Sequence, residues 1–271
     1  TTLSISIITN RDKDTASSNT VTINAEDKND KVEVTLKDVN IDTSSRNKAA
    51  VSVTGSGNTT IKLDGDNHLT GGNGIYSNSS GSLTISGDEN DSLTAQGGDS
   101  RNGIYSVSGD VTISGGTVTA TGGNSTGSYG SGGDGIHSGS LTISGGTVTA
   151  TGGGSTGSNG LGGRGICSDS GGVTISGGTV KATGGNGDYS GGDGISSSDR
   201  VAISGGTVTA NGGDSSSRKG ASGISSSSGV TVSGGTVNAN GGNGDYNGGS
   251  GISSFDRVAV SGGTVKIGRA S

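Results

Sequence analysis

Apolar and small polar residues alternate in three short segments of a unit that recurs along most of the chain. In the unit that begins at Gly135, these segments cover residues 135–138, 141–144 and 147–151. An apolar side chain at every second position is the pattern of a strand that buries one face. The pattern therefore predicts three short strands in each unit and no helix.

The unit returns at a nearly constant interval. A Gly-Ile pair occurs seven times, and successive pairs are separated by 29, 32, 30, 29, 29 and 28 residues. A fixed period of this length indicates stacked structural units. The longest glycine- and serine-rich segments, residues 122–134 and 152–164, account for the unevenness and predict loops along one edge of the stack.

Stacking the units places like side chains over one another. The Gly-Ile column contains Ile75, Ile104, Ile136, Ile166, Ile195, Ile224 and Ile252. The second segment gives the columns Leu83, Val111, Leu141, Val173, Val201, Val230, Val258 and Ile85, Ile113, Ile143, Ile175, Ile203, Val232, Val260. The third segment gives Val118, Val148, Val180, Val208, Val237 and Val265. We predict an all-β parallel solenoid with three strands per coil and about nine coils around an aliphatic core.

Composition supports a narrow core with glycine corners. The chain has 60 glycines, one phenylalanine and no tryptophan. Stacked β-branched side chains fill a thin solenoid without aromatic residues. The Ser-Gly-Gly at residues 114–116 and its equivalents predict a corner at which glycine adopts a positive φ.

The two ends of the chain differ from the middle. Residues 1–48 hold 15 of the 40 charged residues and predict a charged capping coil, preceded by an extra strand at Leu3, Ile5 and Ile7. Residues 49–271 continue the regular repeats within the same domain. Residues 265–271 have little capping character, so we expect further sequence or another molecule there, in an end-to-end or adjacent-domain contact.

Charge and hydropathy exclude two classes of partner. The net charge is −6 without a basic stripe, which argues against nucleic-acid binding. No apolar run is long enough for a membrane span.

The setting is predicted from composition. Abundant Thr, Ser, Asn and Gly favour an extracellular or cell-surface protein, and we expect any secretory signal to have been removed before Thr1. The single cysteine, Cys167, gives no disulfide framework and is interpreted as an ordinary outward position.

The outward position of the Gly-Ile strand carries the candidate binding residues. Tyr76, Tyr105 and His137 are predicted to form a short flat ladder in consecutive coils. Aromatic faces pack against sugar rings, so the ladder is a candidate carbohydrate site, although side-chain stacking that only stabilises the strands explains it equally well. Loops add Tyr129, Tyr189 and Tyr246.

Aspartates recur on the loop edge and in one turn, and they are candidate calcium ligands. Calcium prefers several carboxylate and carbonyl oxygens on a flexible loop. The candidates are Asp64, Asp66, Asp188, Asp193 and Asp245. The alternative is that these residues are turn formers that bond their own backbone.

An enzyme is not expected. No paired carboxylates stand out, and His68 and His137 lie in separate coils with no serine, cysteine or acid at a triad-like spacing.

Residues 49–72 read AAVSVTGSGNTTIKLDGDNHLTGG, and they are followed by repeats of LTISGGTVTATGG with a Gly-Ile after each loop. This pattern resembles the clostridial carbohydrate-binding β-helix family of Firmicutes. The resemblance covers roughly residues 49–267. It implies a right-handed parallel β-helix related to the pectate-lyase fold, non-catalytic binding of plant polysaccharides, and bound calcium.

Two other functions are compatible with the pattern. A structural stalk, fibre or adhesin segment of a bacterial surface protein needs only the regular coils. An ice-binding surface would use the threonine grid of residues 117–121 and 147–151, which Lys181, Asn238, Asn240 and Lys266 interrupt.

Overall fold

The computed structural model describes residues 3–268 and 270, without the side chains of residues 3–5. Within this part of the chain there are 28 strands and one three-residue 3-10 helix, Ser44–Arg46. The strands form three parallel sheets, and each coil contributes one strand to each sheet. The prediction of an all-β parallel solenoid with about nine coils is therefore confirmed, whereas its right-handed sense stays a prediction.

Sheet 1 contains the Gly-Ile strands and their equivalents in the first two coils. Its strands are β2 (Val21–Ala25), β5 (Val51–Gly55), β8 (Ile75–Ser77), β11 (Ile104–Ser106), β14 (Ile136–Ser138), β17 (Ile166–Ser168), β20 (Ile195–Ser197), β23 (Ile224–Ser226) and β26 (Ile252–Ser254).

Sheet 2 contains the second strand of each coil and one additional strand at the amino end. Its strands are β1 (Leu3–Thr9), β3 (Lys31–Lys37), β6 (Asn58–Asp64), β9 (Leu83–Ser86), β12 (Val111–Ile113), β15 (Leu141–Ile143), β18 (Val173–Ile175), β21 (Val201–Ile203), β24 (Val230–Val232) and β27 (Val258–Val260).

Sheet 3 contains the third strand of each coil. Its strands are β4 (Asn40–Asp42), β7 (Asp66–Gly71), β10 (Ser92–Gly97), β13 (Thr117–Thr121), β16 (Thr147–Thr151), β19 (Thr179–Thr183), β22 (Thr207–Asn211), β25 (Thr236–Asn240) and β28 (Thr264–Gly268).

The register superposes equivalent residues. Ile104 pairs with Ile136, and Ile136 pairs with Ile166, as the Gly-Ile column predicts. The other predicted columns pair in the same way; Ile143, for example, lies between Ile113 and Ile175. These side chains belong to one continuous cluster of buried apolar residues that extends from Ile23 to Ala239. The alternation of apolar and polar residues thus specifies both the buried face and the register.

Glycines allow successive coils to approach closely. Gly116 and Gly146 have φ values of 76° at the predicted corner, a conformation that residues with a side chain rarely adopt. At the loop edge, a Cβ on Gly153 would lie 2.0 Å from the carbonyl oxygen of Gly123 in the preceding coil. A side chain at that position has no room.

The amino-terminal coil packs into the same core as the regular coils. Ile23 and Ile41 are buried in the common cluster, and β3 pairs with β6 of the next coil. The predicted extra strand is present as β1, which pairs in parallel with β3. It gives sheet 2 ten strands, against nine in each of the other sheets over the described residues.

The last coil presents apolar side chains to solvent. Phe255 is 94% exposed, Ile267 59% and Val260 53%. In the preceding coil, the equivalents of Val260 and Ile267 are Val232 and Ala239, which are fully buried. Val232 and Ala239 are buried because the last coil stacks on them.

Candidate functional site

The predicted aromatic column exists on the outer face of sheet 1. Tyr76 pairs with Tyr105, and Tyr105 pairs with His137 in the following coil. The ring centroids are 5.7 Å apart for the two tyrosines and 5.0 Å apart for Tyr105 and His137. The planes are inclined at 55° and 82°, so the prediction of a flat ladder is wrong. We call these three residues the tyrosine ladder; all three rings are half-buried, and only Tyr105 and His137 meet edge to face.

His137 is held between two carboxylates. Its Nδ1 lies 2.8 Å from Asp134 Oδ2, and its Nε2 lies 2.8 Å from Asp169 Oδ2 in the next coil. Burial alone would lower the pKa of His137, but the bonds and charges of the two carboxylates outweigh burial and raise it. The spacing of residues in the sequence did not predict these two acidic partners. Both ring nitrogens are engaged, so His137 supports Tyr105 rather than presenting a free polar edge.

Cys167 follows His137 in the same column and is also not the open position that the sequence suggested. It is 1% exposed because the guanidinium of Arg164 contacts its Sγ, and its thiol donates to Asp169 Oδ1 at 3.2 Å. Burial, aided by the nearby carboxylates and opposed by Arg164, raises the pKa of the thiol to about 12. The sulfur is protonated near neutral pH and is not prepared to act as a nucleophile.

The predicted calcium ligands in the second coil are engaged with neighbouring strands. Asp64 forms an ion pair with Lys37 at 2.8 Å. Asp66 accepts a hydrogen bond from Ser92 Oγ at 2.8 Å. Both contacts join strands of adjacent coils.

The other predicted ligands are separated along the loop edge. Asp188 accepts from the backbone N–H of Asn159 and from Ser216 Oγ, and Asp245 is exposed. Within residues 3–268 and 270, the only group of three or more His, Cys, Asp or Glu side chains with ligand atoms within 4.8 Å of one another is Asp134, His137 and Cys167. None of the five predicted aspartates belongs to it.

Asp193 accepts a hydrogen bond from the backbone N–H of Ser222 in the next coil, at 2.8 Å. Asn73 makes the equivalent bond to Asn102. Burial nevertheless raises the pKa of the Asp193 carboxyl, so the charged form costs stability at neutral pH. We expect Asp193→Asn to gain up to about 1 kcal/mol at neutral pH in urea unfolding.

The pH dependence of that gain follows from the sign of the shift. Because the folded pKa lies above the unfolded one, protonation on acidification removes the cost from the wild-type protein. The difference between variant and wild type should therefore shrink as the pH falls through the raised pKa. A variant that is less stable than wild type at neutral pH would contradict the prediction.

A second aromatic surface lies on the loop edge. Parallel bridges pair Ser190 with Lys219 and Lys219 with Asn247, so the preceding residues occupy one position in three successive coils. These preceding residues are Tyr189, Arg218 and Tyr246. The Arg218 guanidinium lies 4.3 Å from the centre of the Tyr189 ring, in a cation–π contact.

This column borders an open groove of about 630 Å³. We call it the loop groove; it is lined by Asn159, Ser217, Arg218, Lys219 and Tyr246. Tyr246 is 80% exposed, which leaves its ring free for a ligand. Sequence reasoning noted the tyrosines but missed Arg218 and Lys219. The available signal was spacing, because Gly160, Tyr189, Arg218 and Tyr246 are separated by 29, 29 and 28 residues, the interval of the coils.

No helix in the part of the chain that the structure describes is long and apolar enough to cross a membrane.

Comparison with known proteins supports the fold. A family model described as a beta helix repeat matches residues 141–163, 173–199 and 201–228. No curated protein and no solved structure matches the chain. The matched stretches lie in the regular coils of the three parallel sheets. Together with the three parallel sheets, this partial match identifies the fold of the chain as a parallel β-solenoid of repeated coils.

Proposed function

We propose that this protein is a non-catalytic, extracellular polysaccharide-binding module. The observation that carries the proposal is the loop groove, where the exposed ring of Tyr246 lies beside the cationic side chains of Arg218 and Lys219. An aromatic face packs against the apolar face of a sugar, while neighbouring polar groups bond its hydroxyls or carboxylates. The tyrosine ladder supplies a second, half-buried aromatic surface on another side of the coil.

The spacing of the loop groove supports binding of a chain rather than of a single sugar. Tyr189, Arg218 and Tyr246 repeat at the distance between adjacent parallel strands, about 4.8 Å. A polymer that lies along the solenoid axis would therefore meet several of these side chains in succession. Repeated weak contacts of this kind add up in avidity.

Calcium assistance is part of the proposal. Asp188 and Asp214 line a shallow depression of about 310 Å³ next to the loop groove. Its other lining residues, Ser155, Thr156, Asn186, Gly187, Ser215 and Ser216, offer hydroxyl, amide and backbone oxygens. Oxygen donors on a loop are the ligands that calcium prefers.

Affinity electrophoresis against acidic and cellulosic polysaccharides, with and without chelator, tests the proposal. We expect at least one polysaccharide to retard the protein and Tyr246→Ala to weaken the retardation about tenfold, because the stacking contact is lost. Tyr76→Ala combined with Tyr105→Ala tests the tyrosine ladder separately. Tyr129→Ala is the matched control, since Tyr129 is 77% exposed on the same loop edge but does not line the loop groove.

Three outcomes would contradict the proposal in whole or in part. Migration unaffected by every polysaccharide would remove the binding function. If the retardation falls equally in the Tyr129 and Tyr246 variants, the polysaccharide does not bind in the loop groove. Retardation that is unchanged by the chelator would remove calcium alone.

A structural stalk, fibre or adhesin segment is the second candidate. The exposed apolar side chains of the last coil favour it, because Val258, Val260 and Ile267 offer a surface on which another coil or molecule would stack. This function predicts concentration-dependent association in sedimentation experiments and no polysaccharide binding.

A further inference from the structure

The solenoid brings a histidine, a cysteine and two aspartates together at one point on the outer face of sheet 1. His137 and Cys167 are register partners in β14 and β17. Asp134 lies three residues before His137, and Asp169 lies two residues after Cys167. We call these four residues the His–Cys cluster. Strand pairing positions His137 and Cys167, and the two aspartates flank their strands.

The surroundings of His137 demand a positive charge. Each ring nitrogen lies 2.8 Å from a carboxylate oxygen. A neutral imidazole has one N–H, so one of these contacts would set a nitrogen lone pair against a carboxylate. A second proton on the imidazole, a proton on one of the carboxyl groups, or a metal ion in place of the lone-pair contact resolves this conflict. The two carboxylates thus flank a position that favours a cation.

The donor types select the class of cation. A thiol sulfur and an imidazole nitrogen are ligands of zinc-like ions, whereas calcium and magnesium prefer oxygen alone. The ligand atoms of Asp134, His137 and Cys167 lie within 4.8 Å of one another. Asp169 contributes oxygens 2.8 Å from His137 Nε2 and 3.2 Å from Cys167 Sγ, and its side chain is 58% exposed.

We propose that the His–Cys cluster binds one divalent transition-metal ion of the zinc class. Coordination replaces the S–H bond of Cys167 with a metal–sulfur bond, and the proton is released to solvent. The buried thiol and His137 provide the fixed donors, and the exposed carboxylate of Asp169 closes over the ion from the surface. This site is distinct from the calcium depression on the loop edge and does not depend on polysaccharide binding.

Arg164 is the competing cation. Its guanidinium contacts Cys167 Sγ and lies 3.8 Å from Asp169 Oδ1. A metal ion on the sulfur would be repelled by this charge, so the Arg164 side chain has to swing outward, and at 43% exposure it has solvent to move into. Removal of Arg164 should consequently strengthen metal binding, an effect opposite to that of removing a ligand.

Cobalt titration of the full chain, after treatment with chelator, tests the proposal. We expect one Co²⁺ per chain with a thiolate-to-cobalt charge-transfer band, which Zn²⁺ abolishes by displacement. Cys167→Ser should remove the band and weaken Zn²⁺ binding at least about tenfold, and His137→Gln should weaken it similarly. Arg164→Ala should tighten binding several-fold. His68→Gln is the matched control, because His68 is exposed in another coil.

The Cys167→Ser variant is expected to fold, so its loss of metal binding can be measured on the folded protein. Serine already occupies the position of Cys167 in the following coils, at Ser196 and Ser225. Saturation with cobalt without a charge-transfer band, or equal Zn²⁺ affinity in the wild type and Cys167→Ser, would overturn the proposal. So would tighter binding by wild type than by Arg164→Ala. In that case the second proton on His137 is the charge that the carboxylates hold.

Discussion

Gly153→Ala is expected to destabilise the protein by about 3 kcal/mol or more. The new Cβ would lie 2.0 Å from the carbonyl oxygen of Gly123, a backbone atom of the neighbouring coil. Rotation of a side chain cannot relieve this overlap. The coils would have to separate, which would stretch the hydrogen bond from the Gly153 N–H to the Gly133 carbonyl, 2.8 Å long in the native protein. Urea unfolding monitored by circular dichroism measures the loss.

Gly127→Ala is the matched control for this prediction. Gly127 lies in the same family of loops, yet a Cβ built on it meets no atom within 4 Å. Its substitution should change the free energy of unfolding by less than about 0.5 kcal/mol. Equal stability of the two variants would show that the coils are not packed as closely as the structure describes.

Ile143→Ala is expected to cost about 2–5 kcal/mol. Ile143 is fully buried between Ile113 and Ile175 of the adjacent coils, and truncation leaves a cavity that touches both. Each coil contacts mainly its two neighbours, so other side chains have little scope to fill the space. A lowered urea midpoint with an unchanged slope would report this loss.

The neighbouring outward residue provides the comparison. Thr142 follows Leu141 on the same strand but faces the outside, where Thr112 and Thr174 are its register partners. Thr142→Ala should cost less than about 1 kcal/mol, the range of strand propensity alone. If both substitutions had the same small effect, the aliphatic column would not be the source of stability that its burial implies.

The fold was predictable because one rule repeats. Ile136, Leu141, Ile143 and Val148 are each buried where the period of two places them, and their equivalents lie directly above and below. A repeated unit constrains its neighbours through register, so an error in one coil would contradict the others. This redundancy is absent from a fold built of dissimilar elements.

The surroundings of His137 were not predictable in the same way. Register places Cys167 beside His137, and the sequence alone shows that. However, Asp134 and Asp169 lie outside the strands, where periodicity does not specify the direction of a side chain. The burial of Cys167 likewise depends on Arg164, whose long side chain folds back over an outward position. Local loop geometry, rather than the pattern of the strands, determined these contacts.

The residues of the loop groove were not predictable from the sequence for a different reason. Tyr189 and Tyr246 end matching Asn-Gly-Asp-Tyr sequences two coils apart, but the residue between them at the coil interval is the chemically unlike Arg218, so the three do not appear as a repeat. Only the alignment of the loops reveals that an arginine stacks on a tyrosine. On the loop edge, therefore, the residues at one position differ between coils, and a binding site formed there is not repeated along the stack.

The parallel pairing of every strand with its counterpart in the next coil also determines how the molecule responds to mechanical force. A pull along the axis loads the hydrogen bonds between coils along their own direction, so the terminal coil detaches first while the rest stays intact. Each detached coil between two Gly-Ile pairs, 28 to 32 residues long, releases roughly 100 Å of extended chain. The protein would therefore lengthen in discrete steps under tension and absorb work without losing its remaining coils.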